Sequence, residues 1–300
     1  MKNLFNKLFS INNETSDKAK FGAPNHENAE FLDFNKHNDF ENLDESSREQ
    51  RDFVDFSSNT NTDNAKCDTS NDFVFGNKIV ALFDIDQTLM KGSSSYYVAC
   101  DLYNRKFFGL RDIFFATRHV ILYLLLGESK RRMNLVCDRA LKVLAGRSVD
   151  EVSSIMQEIY DRDMKSKVFL YMKYVLQRHI KAGHDIWLVS AVPVQISDVI
   201  AKNLGAKGAL GTKVKVVDGI LQPELDGCFM HGEGKREAVL QLAVERGYDL
   251  SSSFAYGDSY QDMHMLSLVG FPCAVNPDRK LRKVCLDRGW NILHVKRTNN

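Results

Sequence analysis

The chain has 300 residues, 44% hydrophobic and 26% charged, with 5 Pro and 18 Gly. Those proportions exclude collagen-like and wholly disordered chains and fit one or two globular domains with a real core. The formal charge of +1 hides an asymmetry: residues 1–76 hold eight Lys and Arg against fifteen Asp and Glu, a net of −7, and the remainder carries +8. The basic excess is spread out, with no Arg/Lys block and no stacking motif, which argues against nucleic acid as a partner.

The six cysteines (Cys67, Cys100, Cys137, Cys228, Cys273 and Cys285) are scattered and no CxxC pairs them. A chain this long does not need disulfides to stabilise a core, so a reducing, cytoplasmic location is expected. The first ten residues, MKNLFNKLFS, are too short and broken in their apolar part for a signal peptide. Between Ile113 and Gly127 the longest uncharged run is Val120 to Gly127, far below the roughly 20 residues of a spanning helix. No transmembrane segment is expected.

Residues 1–76 are rich in Asn, Asp, Ser and Glu and show no sustained period. Such a segment buries too little apolar surface to offset chain entropy, so a disordered acidic tail is expected. Ten of the 19 Phe nevertheless lie here, in pieces such as EFLDFNKHNDF and DFVDF. They are either drift in an unconstrained tail or short docking motifs for a protein partner. Leu4, Phe5, Leu8 and Phe9 could also line one face of a short surface-anchoring helix.

From Asn77 the texture changes. KIVALFDID reads as a buried strand entering a polar loop, and DIWLVSA (Asp185 to Ala191), SSFAYGDS (Ser252 to Ser259), FPCAVNP (Phe271 to Pro277) and NILHV (Asn291 to Val295) repeat the form. Short apolar runs alternating with helical stretches indicate parallel βαβ units. Helices are expected from Val194 to Leu204, from Lys235 to Arg246 and from Asp278 to Asp287, closed by Gly205, Gly247 and Gly289, with Asp278 as an N-cap. VKVVDGILQPEL reads as a hairpin turning at Asp218-Gly219. Leu89 to Gly183 carries helical spacing and little strand signal, and its hundred or so residues far exceed a simple crossover. The expected architecture is an α/β, Rossmann-like parallel core (77–89 and 184–300) with a helical cap at about 90–183.

Polar loops follow three of the strands: Asp84 and Asp86 after the first, Ser190 after the second, Asp258 and Asp262 after the third. In open parallel sheets ligands bind beyond the carboxyl ends of the strands, so these groups should converge. Converging carboxylates repel unless a cation joins them, and oxygen-only ligands favour Mg²⁺. Lys235, opening a helix after GEG, adds positive charge at a helix N-terminus, an arrangement suited to phosphate.

DIDQTL (Asp84 to Leu89), LVSA (Leu188 to Ala191), GEGK (Gly232 to Lys235) and GDSYQD (Gly257 to Asp262) resemble the four motifs of the haloacid dehalogenase (HAD) superfamily, in the right order and context. The GSSS after the first motif, the helical insert and GDSYQDMHMLSLVGFPCAVNPD look like the phosphoserine-phosphatase-like, HAD-IB branch. The resemblance spans about Lys78 to Val295. It implies Asp84 as nucleophile and Asp86 as acid and base. Thr88, Ser190 and Lys235 would bind phosphate. Mg²⁺ would sit between Asp84, the backbone carbonyl of Asp86 and Asp258, with Asp262 in support.

The reading is a Mg²⁺-dependent phosphatase acting on a small phosphorylated metabolite. Two alternatives stay open: a phosphotransferase or mutase of the same superfamily, and a regulatory binding module using the tail. The apolar cap segment FFGLRDIFFATRHVILYLLLG is either cap core or a surface for a lipid phosphate. Phosphoserine phosphatases usually carry an acidic residue nine positions after the nucleophile, where this chain has Ser93. L-phosphoserine is therefore expected to be a poor substrate unless a cap carboxylate such as Asp101 or Asp112 substitutes. Deleting residues 1–70 is expected to leave the thermal midpoint and turnover of a small phosphoester nearly unchanged. A truncated protein that unfolds or loses turnover would show that the tail packs on the body.

Overall fold

The computed structural model describes residues 78–109, 141–227 and 229–296. The chain divides into two units, Met1–Phe73 and Val74–Asn300, and every described residue belongs to the second. The expected tail with its Phe-rich motifs, and nearly all of the apolar cap segment, lie outside the described residues.

In chain order the elements are β1 (Val80–Phe83), α1 (Ser94–Asn104), α2 (Val149–Ile159), α3 (Leu170–Lys181), β2 (Asp185–Pro193), α4 (Val194–Leu204) and β3 (Gly208–Thr212). There follow β4 (Val214–Val217), β5 (Ile220–Leu225), α5 (Glu233–Arg246), β6 (Phe254–Gly257), α6 (Met263–Leu266), β7 (Phe271–Val275), α7 (Arg279–Arg288) and β8 (Asn291–Leu293). Six strands form one sheet in the order β3-β2-β1-β6-β7-β8, parallel throughout. The expected parallel α/β core with a helical insert after its first strand is thus what the chain builds.

Helices on the sheet faces explain why β1 and β6 are buried along their whole length instead of alternating. One core packs Val80, Leu82, Val189, Ala255 and Ala274 of the sheet against Val239, Leu242 and Ala243 of α5, Met265 and Leu266 of α6, and Leu281 and Cys285 of α7. The helix ends follow the sequence signals. Gly205, Gly247 and Gly289 close α4, α5 and α7 in left-handed conformation, and the Asp278 side chain accepts from the Leu281 N–H. The β4–β5 hairpin turns at Asp218-Gly219, both at positive φ as a type I′ turn requires.

β3 is the strand that the apolar runs did not reveal. Its sequence, GALGT, carries few large side chains because its neighbours leave no room. A Cβ on Gly208 would lie 2.9 Å from the Trp187 ring, and one on Gly211 would lie 2.8 Å from the Val194 Cα.

The insert joins the core through two segments that run side by side. Lys91 N–H donates to the Lys167 carbonyl and Phe169 N–H to the Leu89 carbonyl, each at 2.9 Å. The hairpin is tied to the start of α2: Gly146 N–H reaches the Leu221 carbonyl, Leu221 N–H the Arg147 carbonyl and Val149 N–H the Gly219 carbonyl, all at 2.9 Å. Its N-cap, Ser148, accepts from the Glu151 N–H.

Against the sheet beside β1 and β6, α3 buries His179. Its Nε2 lies 2.8 Å from the Tyr256 hydroxyl and its Nδ1 lies 2.9 Å from His184 Nδ1. Burial first, then His184 and Arg178, push His179 down from the ordinary 6.5 to about 3. An unfolded chain takes up a proton below pH 6.5 that the folded chain refuses. Stability is therefore full above that pH and declines as the pH falls toward 3. By pH 5 this group removes about 2 kcal/mol. The thermal midpoint is expected to drop between pH 7.5 and 5, and to drop less in His179→Phe. An equally steep decline in the variant would show that His179 is not the group responsible.

Candidate active site

The strand order reverses between β1 and β6, and at that switch point the two strand ends form a crevice. Asp84 follows β1 and Asp258 follows β6 on its two sides. The Asp84 N–H still donates to the Tyr256 carbonyl at 2.9 Å, so the ladder carries the nucleophile candidate to the edge with its backbone fixed. Beyond it the chain coils back, with the Leu89 and Met90 N–H groups both donating to the Ile85 carbonyl and Gln87 at φ 59.

A buried lysine organises the acidic groups. Lys235, in the first turn of α5, donates from Nζ to Asp84 Oδ1 and to Asp262 Oδ1, both at 2.6 Å. All three side chains are under 10% exposed. The other oxygen of Asp262 accepts from the Ser259 hydroxyl at 2.8 Å, the Ser259 N–H at 3.0 Å and the Asp258 N–H at 3.2 Å. Asp262 therefore has both oxygens occupied and holds the loop that carries Asp258. Close approach is a condition of this arrangement. A Cβ on Gly257 would lie 2.6 Å from Asp262 Cβ, so the strand can pass Asp262 only as glycine.

The charges do not balance. Burial raises Asp84 to about 8 against the pull of Lys235, with Asp262 and Asp86 adding to the rise. Asp258 is raised well above the usual carboxylate range by burial, then by Asp84 and Asp262. Asp262 goes the other way: burial would raise it, but Lys235 and the Ser259 donors hold it low. Burial alone would lower Lys235, and Asp262 and Asp84 outweigh it and raise it. One ammonium thus faces four carboxylates when Asp86 is included. Oxygens of Asp84, Asp258 and Asp262 lie within 4.8 Å of one another. Among the described residues no donor reaches the Asp258 carboxylate. An all-oxygen set with surplus negative charge and a bare carboxylate fits a hard divalent cation.

The remaining expected site residues fall on the same edge. Thr88 is fully buried and its hydroxyl has no hydrogen-bond partner among the described residues. Ser190 is buried near the end of β2, and among the described residues its oxygen receives only a long bond of 3.4 Å from the Val192 N–H. Both hydroxyls keep capacity for a ligand. Asp86 lies apart from the acidic trio: its carboxylate accepts from the Ser93 hydroxyl at 2.9 Å and the Ser94 N–H at 2.8 Å. Burial raises it, opposed by those donors.

Asn276 is structural. Its side chain bonds the Val295 backbone at 3.0 and 3.1 Å, fastening the chain after β8. The Ser93 contact with Asp86 is what residue reasoning missed. For Ser259 the signal was present, because Ser-x-x-Asp is the spacing of a capping box.

A parallel α/β sheet with carboxylates, two hydroxyls and a lysine at its switch point, and with a helical insert after its first strand, is an arrangement suited to phosphate esters. Comparison with known proteins agrees. Residues 81–267 match the family model of the haloacid dehalogenase-like hydrolases, and the chain belongs to that family, in its phosphoserine-phosphatase-like branch. It is 40% identical to phosphoserine phosphatase SerB1 of Mycobacterium tuberculosis over 71% of this chain and 69% of that one. It is 31% identical to an inhibition of morphological differentiation protein of Streptomyces azureus, over 73% of this chain and 79% of that one. Among solved structures, a protein of unknown function from Bordetella pertussis superposes with a TM-score of 0.64 at 25% identity, over 73% of this chain and 99% of that one. A phospho-aspartyl intermediate analogue of phosphoserine phosphatase superposes with a TM-score of 0.52 at 17% identity, over 74% and 95%, which speaks for the fold. Among the described residues no helix is long and apolar enough to cross a membrane.

The Gly257 contact is directly testable. Gly257→Ala forces Asp262 away and should cost about 1–3 kcal/mol of stability, the usual range for overpacking. Turnover is expected to fall at least tenfold in protein that is still folded. Unchanged turnover would mean that Asp262 does not need its present place to hold Lys235.

Proposed function

We propose that this chain is a Mg²⁺-dependent phosphomonoesterase that works through an aspartyl-phosphate on Asp84. The observation that carries the reading is the buried Lys235, shared at 2.6 Å between Asp84 and Asp262, beside the Asp258 carboxylate, which no donor reaches among the described residues. Mg²⁺, held by Asp84, the backbone carbonyl of Asp86 and Asp258, would supply electrostatic stabilisation of the phosphoryl oxygens. Asp262, with both oxygens occupied, acts in support.

In the first half-reaction a carboxylate oxygen of Asp84 attacks phosphorus and the bond from phosphorus to the alcohol oxygen breaks. Asp86 gives its proton to that oxygen, so the product leaves as a neutral alcohol. Thr88 and Ser190 donate to the phosphoryl oxygens, and Lys235 offsets the charge that grows on them. In the second half-reaction Asp86, now ionised, takes a proton from water as the water oxygen attacks phosphorus. The bond to Asp84 breaks, inorganic phosphate leaves, and both aspartates return to their starting states.

The substrate we propose is a small phosphate ester other than an amino acid. Ser93 stands where an acidic residue would receive an ammonium group. Asp101, the cap carboxylate that could replace it, is buried and already bonded by Arg105 at 2.5 Å and Arg162 at 2.8 Å. Asp112 lies outside the described residues.

Asp84→Asn should abolish hydrolysis, because a neutral amide cannot attack phosphorus. Chelation should do the same to the native protein, with recovery on adding Mg²⁺. Across a panel of phosphoesters, kcat/KM for L-phosphoserine is expected about ten- to hundredfold below the best hit, the worth of one charge-assisted contact. An active Asp84→Asn protein would rule out the aspartyl-phosphate route. Phosphoserine as the best substrate by tenfold would overturn the argument from Ser93.

A further inference from the structure

We propose that Ser93, together with the N-terminus of α1, is the positioning element that aims Asp86 at the leaving group. The inference rests on the acid–base role assigned to Asp86 above and names what this chain uses to perform it.

Ser93 stands at the N-cap of α1, with extended backbone (φ −120°, ψ 127°), yet its side chain makes no capping bond. A serine there ordinarily accepts from an N–H of the first turn. Here the hydroxyl points back to the core and donates to Asp86 Oδ2 at 2.9 Å. The Ser94 N–H, which has no partner within its helix, is taken up by Asp86 Oδ1 at 2.8 Å. The first turn of α1 contains no acidic residue of its own, so Asp86 supplies the negative charge its positive end favours. Cap helix and core carboxylate thus complete one another.

Two features make this more than a fastening. A carboxylate offers about four acceptor positions. The Ser93 hydroxyl and the Ser94 N–H take one on each oxygen. The buried Ser94 hydroxyl, unpartnered among the described residues, lies near enough to lower Asp86 as well. The positions that remain are open to a leaving oxygen or a water. The reaction also needs Asp86 protonated in one half and ionised in the other. A backbone N–H can only donate. A hydroxyl can donate to the carboxylate and, after rotating, accept from the acid, so Ser93 can hold Asp86 through both halves. The place of α1 is itself fixed. The segments at its foot are paired through Lys91 and Lys167 and through Leu89 and Phe169. Asp101, on the same helix, is gripped by Arg162, beyond α2.

The test is leaving-group dependence. p-Nitrophenyl phosphate expels a phenolate that needs little protonation, whereas glycerol 2-phosphate expels an alkoxide that needs it. Measuring kcat/KM confines the comparison to the steps up to cleavage of the ester. In Ser93→Ala the ratio of p-nitrophenyl phosphate to glycerol 2-phosphate is expected to rise about tenfold or more, a misaimed acid being costly. Ser93→Thr, which keeps the hydroxyl, should return the ratio to within about threefold of native. Ser93→Gly lacks the hydroxyl but is well tolerated at an N-cap, and it should reproduce the alanine result if Ser93→Ala folds poorly. Asp86→Asn is run alongside. A raised ratio in Asp86→Asn with an unchanged one in Ser93→Ala and Ser93→Gly would overturn the role of Ser93. An unchanged ratio in Asp86→Asn would instead overturn the acid–base role itself. Equal loss on both substrates in the Ser93 variants would reduce Ser93 to a structural part of the cap.

Discussion

One ammonium group shared by two buried carboxylates sets the terms for this end of the molecule. Lys235 reaches Asp84 and Asp262 at the same distance, 2.6 Å, from the first turn of α5. Breaking a buried ion pair by removing one partner typically costs about 3–5 kcal/mol, because the other charge is left stranded. The sequence around each member therefore has little freedom. Gly257 must be glycine to pass Asp262, and Ser259 must supply donors to its second oxygen. A fixed lysine also holds one oxygen of Asp84 still and, in the proposed mechanism, leaves the other to attack phosphorus.

The same pair explains why the site is short of positive charge. Asp84 is raised by burial, with Asp262 and Asp86 adding to the rise, and Asp258 by burial and then by Asp84 and Asp262. That is an unfavourable way to build a resting protein, and it suits the divalent cation that the proposed function calls for. The sheet makes it affordable. β1 and β6 are buried on both faces and paired in register, so the carboxylates at their ends cannot move apart to relieve the repulsion.

Much of this was legible in the residues because the determinants are local. Apolar runs ending in carboxylates marked β1 and β6, and closing glycines marked three helix ends. β3 was hidden because its glycines answer to Trp187 and α4, which are distant in sequence or invisible in a hydropathy pattern. The convergence of Asp84, Asp258 and Asp262 followed from the strand-end rule, but the exclusion of Asp86 from that trio did not. It depends on α1 folding back so that Ser93 and Ser94 reach Asp86. The resemblance to phosphoserine phosphatases also marked Ser93 as the position where an acidic ammonium receptor is missing. The structure gives it a present task as well, since one hydroxyl can be missing from one function and serve another.

The central claim is that Asp84, held by Lys235, carries the phosphoryl group between substrate and water. The most direct measurement is acid quenching during steady-state turnover, followed by peptide mass spectrometry of the chain. The account predicts a phosphoryl group on the peptide containing Asp84, acid-stable but lost on treatment with hydroxylamine, and absent when Mg²⁺ is removed. A phosphoryl group on another residue, or full turnover with no phosphorylated peptide at any quench time, would contradict it.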